Sequence, residues 1–187
     1  MSMELDCAVH VRSYPGMPRG GDAGVVRELD DGALVALIDA TGHGLTAYAV
    51  AQTARRLLHA TTTLEPAALL TELDAALRGG IGAAISVARI RPDEVEFAGV
   101  GNVEAFVHLK PLLVRTGVVG QRMRTPKVER VPLLPDQWLL MHTDGVSRPR
   151  AVPNGSAETA ARALVEANGG HHDDAAVLLA RWREVPV

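Results

Sequence analysis

Cysteine, lysine and aromatic residues are scarce in this chain of 187 residues. Cys7 is the single cysteine, so no disulfide can form within the chain, which is typical of a reducing compartment. Aromatic residues make up 3% of the sequence, so the core must be built from Ala, Val, Leu and Ile. Lysine occurs only at Lys110 and Lys127, and arginine supplies the rest of the positive charge.

Long apolar segments and an excess of basic charge are missing as well. No apolar run approaches the roughly 20 residues that span a bilayer. The N-terminus has no apolar stretch behind basic residues that would predict a secretory signal peptide. The formal net charge is −3, which gives no electrostatic basis for binding nucleic acid. We therefore expect a soluble, cytoplasmic protein that binds neither membranes nor nucleic acid.

The composition is otherwise that of a globular domain, with 47% hydrophobic and 22% charged residues. The length favours one domain over residues 1–187. Alternating or short apolar runs bounded by turn residues predict strands at 5–11, 25–29, 33–38, 84–90, 95–100, 103–109, 114–120, 128–133, 138–142 and 175–182. Helical periodicity and capping signals predict helices at 45–59, 66–78 and 156–166. Short adjacent strands joined by tight turns indicate antiparallel sheets, so we predict an α+β fold with helices covering the sheets.

Four aspartates carry the chemical signal. Asp22, Asp39, Asp144 and Asp173 lie at ends of predicted strands, and all but Asp39 stand beside glycine or a second aspartate. Glycine lets the backbone turn and approach a ligand closely. Carboxylates crowded at the rim of a core repel each other, and a divalent cation such as Mg²⁺ or Mn²⁺ relieves that repulsion. The pattern therefore favours a metal site.

The same residue types also occur where no metal is expected. The segment 30–32 has the sequence Asp-Asp-Gly, which we interpret as a plain hairpin turn. A lone Asp-Gly is more often a turn than a metal ligand. Sequence pattern alone leaves open whether the four aspartates converge in space.

The order of the motifs resembles the metal-dependent type 2C protein phosphatases, and within them the SpoIIE-like bacterial branch. The matching segments are Gly21-Asp22, the run Asp-Ala-Thr-Gly-His-Gly from 39 to 44, Thr143-Asp144-Gly145, and Asp-Asp-Ala-Ala-Val from 173 to 177. The segments 99–105 and 117–120 are more specifically similar to RsbX-like stressosome phosphatases. This resemblance implies a sandwich of two antiparallel sheets flanked by helices, with two Mn²⁺ or Mg²⁺ ions at one edge.

The resemblance also implies a ligand set. Asp39 would bridge both ions and, with them, activate water, and the backbone carbonyl of Ala40 would bind one ion. Asp22 would hold one ion, partly through water. Asp144 and Asp173 would hold the other.

Several neighbours of these ligands receive supporting or weaker roles. Asp174 and Gly145 would support the site, and Arg19 is a weak candidate for contacting substrate phosphate. His43 lies four residues after Asp39, where the spacing does not match the histidine of eukaryotic relatives, so we assign it to the loop. We interpret 171–172, the His-His pair, as loop residues too. Many relatives have threonine at the position of Ala176, so hydrogen bonding around the ligands is expected to differ.

The resulting hypothesis is a metal-dependent serine/threonine phosphatase. Its partner would be a phosphorylated regulatory protein of a bacterial stress-response or sigma-factor pathway, such as a stressosome protein or an anti-sigma antagonist. One alternative is a catalytically inactive family member that binds metal or a partner. Another is a nucleotide-phosphate cradle at 42–44 before a helix, although no Gly-x-Gly-x-x-Gly or Gly-Lys-Ser/Thr spacing supports it.

Overall fold

The computed structural model describes residues 2–185 and contains two β-sheets packed face to face, with helices on both outer faces. The strands are β1 (Ser2–Arg12), β2 (Asp22–Leu29), β3 (Gly32–Ala40), β4 (Ala83–Ile90), β5 (Glu94–Val100), β6 (Glu104–Val107), β7 (Lys110–Pro111), β8 (Val114–Arg115), β9 (Gly117–Val118), β10 (Arg122–Met123), β11 (Glu129–Pro132), β12 (Leu139–His142) and β13 (Ala175–Val185). The helices are α1 (Gly44–Ala60), α2 (Pro66–Leu77) and α3 (Ala157–Asn168). The predicted α+β sandwich is confirmed.

No helix in the described part of the chain is long and apolar enough to cross a membrane.

One sheet has the strand order β1-β13-β12-β6-β7, and the other has β11-β5-β4-β3-β2. The pairings along both orders are antiparallel, while β8 joins β5 in parallel and β9 and β10 form a separate ribbon. The first strand pairs with the last over its full length, and β13 lies between β1 and β12. The second sheet is therefore mixed at one point, where a short strand runs beside β5.

The continuous apolar run of β3 is explained by burial on both faces. Leu34, Ala36 and Ile38 pack against α1 and α2. Ala33, Val35 and Leu37 alternate with them and face the other sheet. Helix α3 covers the outer face of that other sheet.

Two predicted strands differ from the structure because the backbone turns inside them. The run at 103–109 becomes β6 alone, since His108 and Leu109 have positive φ angles of 47° and 62° and form the turn to β7. The run at 114–120 is broken into β8 and β9, with Gly117 and Gly120 at φ angles of 145° and 90°. Residues with a side chain rarely adopt the φ angles found at 117 and 120, and glycine occupies both positions.

The hairpin turn at 30–32 does more than reverse the chain. Asp31 forms an ion pair with Arg89 of β4, whose residue surface is 1% exposed. The Arg89 guanidinium also donates to the carbonyl oxygens of Ala33 (3.2 Å) and Ile90 (2.6 Å). The turn prediction is confirmed, and Asp31 additionally balances a buried charge.

Candidate metal centre

The β2–β3 hairpin places two of the candidate aspartates opposite each other. Asp22 is the first residue of β2, and Asp39 is the last but one of β3; they are direct partners in the antiparallel register. Asp22 therefore begins a strand rather than ending one. Partners on neighbouring strands have Cβ atoms about 4.5–5.5 Å apart, so the hairpin itself brings these two carboxylates together.

The other sheet contributes the remaining two aspartates at the matching end. Asp144 follows β12 by two residues, and Asp173 precedes β13 by two. Because β12 and β13 are antiparallel, with His142 opposite Val177, the end of one lies beside the start of the other. The two sheets thus present their aspartates at the same edge of the sandwich.

A cavity of about 790 Å³ opens at this edge, and Asp39, Asp144 and Asp173 line it. Asp22 lies behind the cavity wall with 8% of its surface exposed. The structure therefore brings together three of the predicted ligands at one opening and places the fourth beneath them. The roles of these residues and of the Ala40 carbonyl as ligands stay predictions.

The crowding of carboxylates changes the acidity of Asp39. Burial, and then the negative charges of Asp144 and Asp173, raise the pKa of Asp39 to about 7. Burial also raises the pKa of Asp173, although the backbone N–H of Asp174, 2.8 Å from its Oδ1, opposes this. Without a cation, the cluster holds protons that isolated aspartates would have released.

The surroundings of Asp22 also raise its pKa. Burial, and then the charge of Asp39, raise its pKa well above the usual range. The Thr143 hydroxyl opposes this by donating a 2.7 Å hydrogen bond to Asp22 Oδ2. The same hydroxyl accepts a 3.0 Å hydrogen bond from the backbone N–H of Ala176. Thr143 thus connects the two sheets at the site.

Asp174 holds the loops around the site in place. Its carboxylate accepts hydrogen bonds from the backbone N–H groups of Tyr14 (2.7 Å) and Gly21 (2.6 Å). The residue is 4% exposed. The loop before β2 is therefore fixed to the loop before β13, while the role of Asp174 as a support of bound metal stays a prediction.

Two glycines are required by close backbone contacts. A Cβ on Gly145 would lie 1.7 Å from the carbonyl oxygen of Asp174. A Cβ on Gly21 would lie 2.9 Å from the carbonyl oxygen of Ala40 and equally close to Ala47. Glycine thus lets the segments that carry the aspartates touch each other directly.

The weaker candidates lie at the rim or outside. Arg19 is exposed and stacks over the ring of Tyr48 at 4.9 Å, so its guanidinium is held against α1; it is not among the described residues that line the cavity. His43 is the N-cap residue of α1 and lines the cavity, as does His172. The phosphate contact of Arg19 stays a prediction.

The structure also reveals a residue to which the sequence pattern assigned no role. Asn102 donates a 2.6 Å hydrogen bond from Nδ2 to Asp144 Oδ2. It lies between β5 and β6, far from the aspartate motifs in sequence. Its signals in the sequence were its position in a Gly-Asn turn, which is equally typical of a simple hairpin, and its place in the segment 99–105 that resembles RsbX-like phosphatases.

The donor set fits hard divalent cations. Oxygen ligands from carboxylates suit Mg²⁺ and Mn²⁺, and a bound cation would offset the burial and the mutual repulsion that raise the pKa of Asp22 and Asp39. Within residues 2–185, no three His, Cys, Asp or Glu side chains are arranged to hold one ion unaided. Mg²⁺ usually keeps several waters and takes only one or two carboxylates, so such a sparse side-chain set is compatible with it.

Comparison with known proteins decides the family. The model of the SpoIIE family (Stage II sporulation protein E) matches residues 30–183. The chain belongs to the SpoIIE family. A comparison with curated proteins found no match.

Solved structures agree with the SpoIIE assignment. One similar structure comes from work on the bacterial stressosome as a modular system adapted to control secondary messenger signalling. Its TM-score is 0.85 and its sequence identity is 25%, and the match covers 95% of this chain and 100% of that one. RsbX in complex with magnesium has a TM-score of 0.81 and 18% identity, with 97% and 98% covered. The catalytic domain of the serine/threonine phosphatase PstP with two manganese ions has a TM-score of 0.73 and 14% identity, with 98% and 100% covered. The type 2C phosphatase fold that the motifs indicated is therefore confirmed.

Proposed function

We propose that residues 1–187 form one metal-dependent phosphatase domain that hydrolyses phosphoserine or phosphothreonine of a regulatory protein. The observation that carries this proposal is the convergence of Asp39, Asp144 and Asp173 on one cavity, with Asp22 beneath them. Membership of the SpoIIE family supports the reaction class. The magnesium of RsbX and the two manganese ions of PstP support the choice of cofactor.

The chain's own residues would position the cations and the phosphate group. Asp39 would help to hold both ions, and Asp144 and Asp173 would hold one of them. Asp22 would hold the other, partly through water, and the Ala40 carbonyl would bind one ion. Asn102 orients Asp144, and Thr143 orients Asp22, which limits the rearrangement needed on binding. When bound, two divalent cations would lower the pKa of water and offset the charge of the phosphoryl oxygens.

The lining of the cavity shows why such cations would be needed. It contains three aspartates and, among the described residues, no lysine or arginine. A phosphate dianion would be repelled by this lining unless bound cations reversed its charge. We therefore expect substrate binding, and not only turnover, to require metal.

The partner and pathway are part of the same proposal. Similarity to the stressosome structure and to RsbX supports a phosphorylated regulatory protein of a bacterial stress-response or sigma-factor pathway in the cytoplasm. Removing a phosphate takes away about −1.5 to −2 units of charge, which is enough to change an interface. The enzyme would thus reset a phosphorylation switch.

Phosphate release from a phosphoserine protein, with and without Mn²⁺, tests the proposal. We expect release that depends on Mn²⁺ in the wild type and in Asp30→Asn, an exposed turn aspartate that serves as control, and no release in Asp39→Asn. Mn²⁺ binding without release from any phosphoprotein or small phosphate ester would favour the alternative of an inactive binding module. Release that is unaffected by chelator would contradict the metal dependence.

A further inference from the structure

A groove leads away from the metal centre along the edge of the sandwich. The main cavity continues into a second one, since both are lined by Gly101, Asn102 and Asp144. The second cavity continues into a third, since both are lined by Glu104, Val114 and Arg148. Because these neighbouring cavities share lining residues, the groove offers room for residues on one side of a phosphorylated one.

Arg148 is fixed in this groove by a stack of aromatic rings. Its guanidinium lies over the Phe106 ring, 4.4 Å from the centroid. The Phe106 ring in turn stacks with the ring of the buried His142, with 5.7 Å between the two centroids and an interplanar angle of 6°. An arginine held by a cation–π contact loses less side-chain freedom on binding a ligand than a solvated one.

The positive charge of Arg148 is not balanced by a neighbouring carboxylate. Among residues 2–185 it takes part in no ion pair. Two glutamates share the groove, but Glu104 faces His142, with its Oε2 3.6 Å from Nε2, and Glu129 accepts a 2.7 Å hydrogen bond from the backbone N–H of Leu113. Arg148 is therefore free to pair with a charge that comes from outside the chain.

The two ends of the groove differ in charge. The metal end is lined by carboxylates and has no cationic side chain of lysine or arginine in its described lining. Arg148 is the one lysine or arginine in the described lining of the second and third cavities. An acidic side chain of a substrate can pair with Arg148 at this end of the groove, where Glu104 and Glu129 also lie, and finds no lysine or arginine in the described lining at the metal end.

We propose that this groove binds an extended segment of the phosphorylated partner and that Arg148 selects an aspartate or glutamate a few residues from the phosphorylated one. The guanidinium fork matches a carboxylate with two parallel N–H···O bonds. This inference rests on the proposed phosphatase function, and it names the sequence context that the enzyme prefers.

A ladder of phosphoserine peptides tests the proposal. Each peptide has one glutamate, moved through every position within about four residues on either side of the phosphoserine, since an extended chain advances about 3.3–3.6 Å per residue. Parallel ladders have glutamine or lysine instead of glutamate. kcat/KM is measured with Mn²⁺ for the wild type, Arg148→Glu and Arg150→Glu, and is divided by the same variant's kcat/KM for p-nitrophenyl phosphate.

The wild type should prefer glutamate over glutamine by about twofold to fivefold at one or two adjacent positions, the size expected of an exposed charge pair. Arg148→Glu should reverse this preference in favour of lysine. Arg150 is an exposed arginine outside the groove lining, so Arg150→Glu controls for the change in net charge and should keep the wild-type preference.

Three outcomes would overturn the inference. Equal rates across the glutamate and glutamine ladders, with normal hydrolysis of p-nitrophenyl phosphate, would remove Arg148 as a determinant and leave the phosphatase function intact. An equal change in Arg150→Glu would mean that only net charge matters. No hydrolysis of any substrate would contradict the proposed function itself, and the inference would be rejected with it.

Discussion

The Thr143 hydroxyl lies 2.7 Å from Asp22 Oδ2 and joins the end of β12 in one sheet to the start of β2 in the other. The two residues are 121 positions apart in sequence, and both are buried. This bond supplies a donor to a carboxylate whose pKa is raised by burial and by Asp39. It makes Thr143 a support of the site as well as of the fold.

Replacing Thr143 by valine should destabilise the protein by about 1–3 kcal/mol, because a buried carboxylate and a buried N–H lose their partner. It should also raise the pKa of Asp22 further and weaken Mn²⁺ binding. Thr143→Ser keeps the hydroxyl and is the matched control. Urea unfolding and calorimetric Mn²⁺ titration measure both effects, and equal behaviour of the two variants would contradict the role of the hydroxyl.

Asp39→Asn should abolish phosphate release and yet stabilise the metal-free protein at neutral pH. The substitution removes a buried negative charge whose pKa is raised to about 7, so the gain is roughly 2–4 kcal/mol. Thermal melting of Asp39→Asn in chelator at pH 7.5, compared with wild type and Asp30→Asn, measures this gain in stability. A less stable Asp39→Asn protein would show that the carboxylate is not under electrostatic strain.

The metal-free protein should lose stability as pH rises. The pKa of Asp39 is about 7 in the folded chain, against an ordinary value of 3.8. Between these values the unfolded chain releases a proton that the folded chain retains, so stability is full below about pH 4 and falls until about pH 7. The pKa values of Asp22 and Asp173 are also raised, so both residues lower the stability of the folded chain in the same direction as pH rises.

Urea unfolding in chelator over about pH 4.5–7.5 follows this fall, and the difference between wild type and Asp39→Asn isolates the contribution of Asp39. Saturating Mn²⁺ should reduce the fall, since ions that bind only the folded state stabilise it. A difference between the two proteins that does not change with pH would contradict the raised pKa.

Gly145→Ala should displace the segment that carries Asp144, because the new Cβ would lie 1.7 Å from the Asp174 carbonyl oxygen. We expect a loss of about 1–3 kcal/mol or more and weaker Mn²⁺ binding. Gly170→Ala is the control, since its Cβ would meet its nearest neighbour at 3.6 Å. Normal Mn²⁺ affinity in Gly145→Ala would show that the contact does not position the aspartate.

Asp31→Asn should destabilise the fold without affecting the metal centre. Asp31 balances the buried Arg89, but its side chain is 60% exposed and screened by solvent, so we expect a loss of about 1–2 kcal/mol. Asp30→Asn, in the same turn, should have no such effect. Unchanged kcat/KM with a lower urea midpoint is the expected result, and equal stability of both variants would contradict the ion pair's contribution.

Local patterns predicted much of the fold. The strand at 33–38 and the helix that starts at Pro66 have strong apolar periodicity and clear boundary residues, and the structure contains both. The aspartate motifs, in their order along the chain, indicated the family correctly. These features depend on neighbours in sequence or on short motifs, and both can be recognised without coordinates.

The contacts between distant segments could not be predicted. Asn102 reaches Asp144 across 42 positions, and Arg89 reaches Asp31 across 58. Nothing in the residue types distinguishes an asparagine in a turn from one that orients a carboxylate. Strand breaks at His108 and Leu109 were missed for a similar reason, since non-glycine residues rarely adopt positive φ and give no warning when they do.

The insertion of β13 between β1 and β12 has a consequence for synthesis on the ribosome. β1 is synthesised before β13, and Arg12 at the end of β1 pairs with Ala175 at the start of β13, so this edge of β1 stays unpaired until the intervening strands have been made. Pairings this distant in sequence form slowly. Since Asp173 and Asp174 directly precede β13, the nascent chain cannot assemble its carboxylate cluster until elongation has passed them.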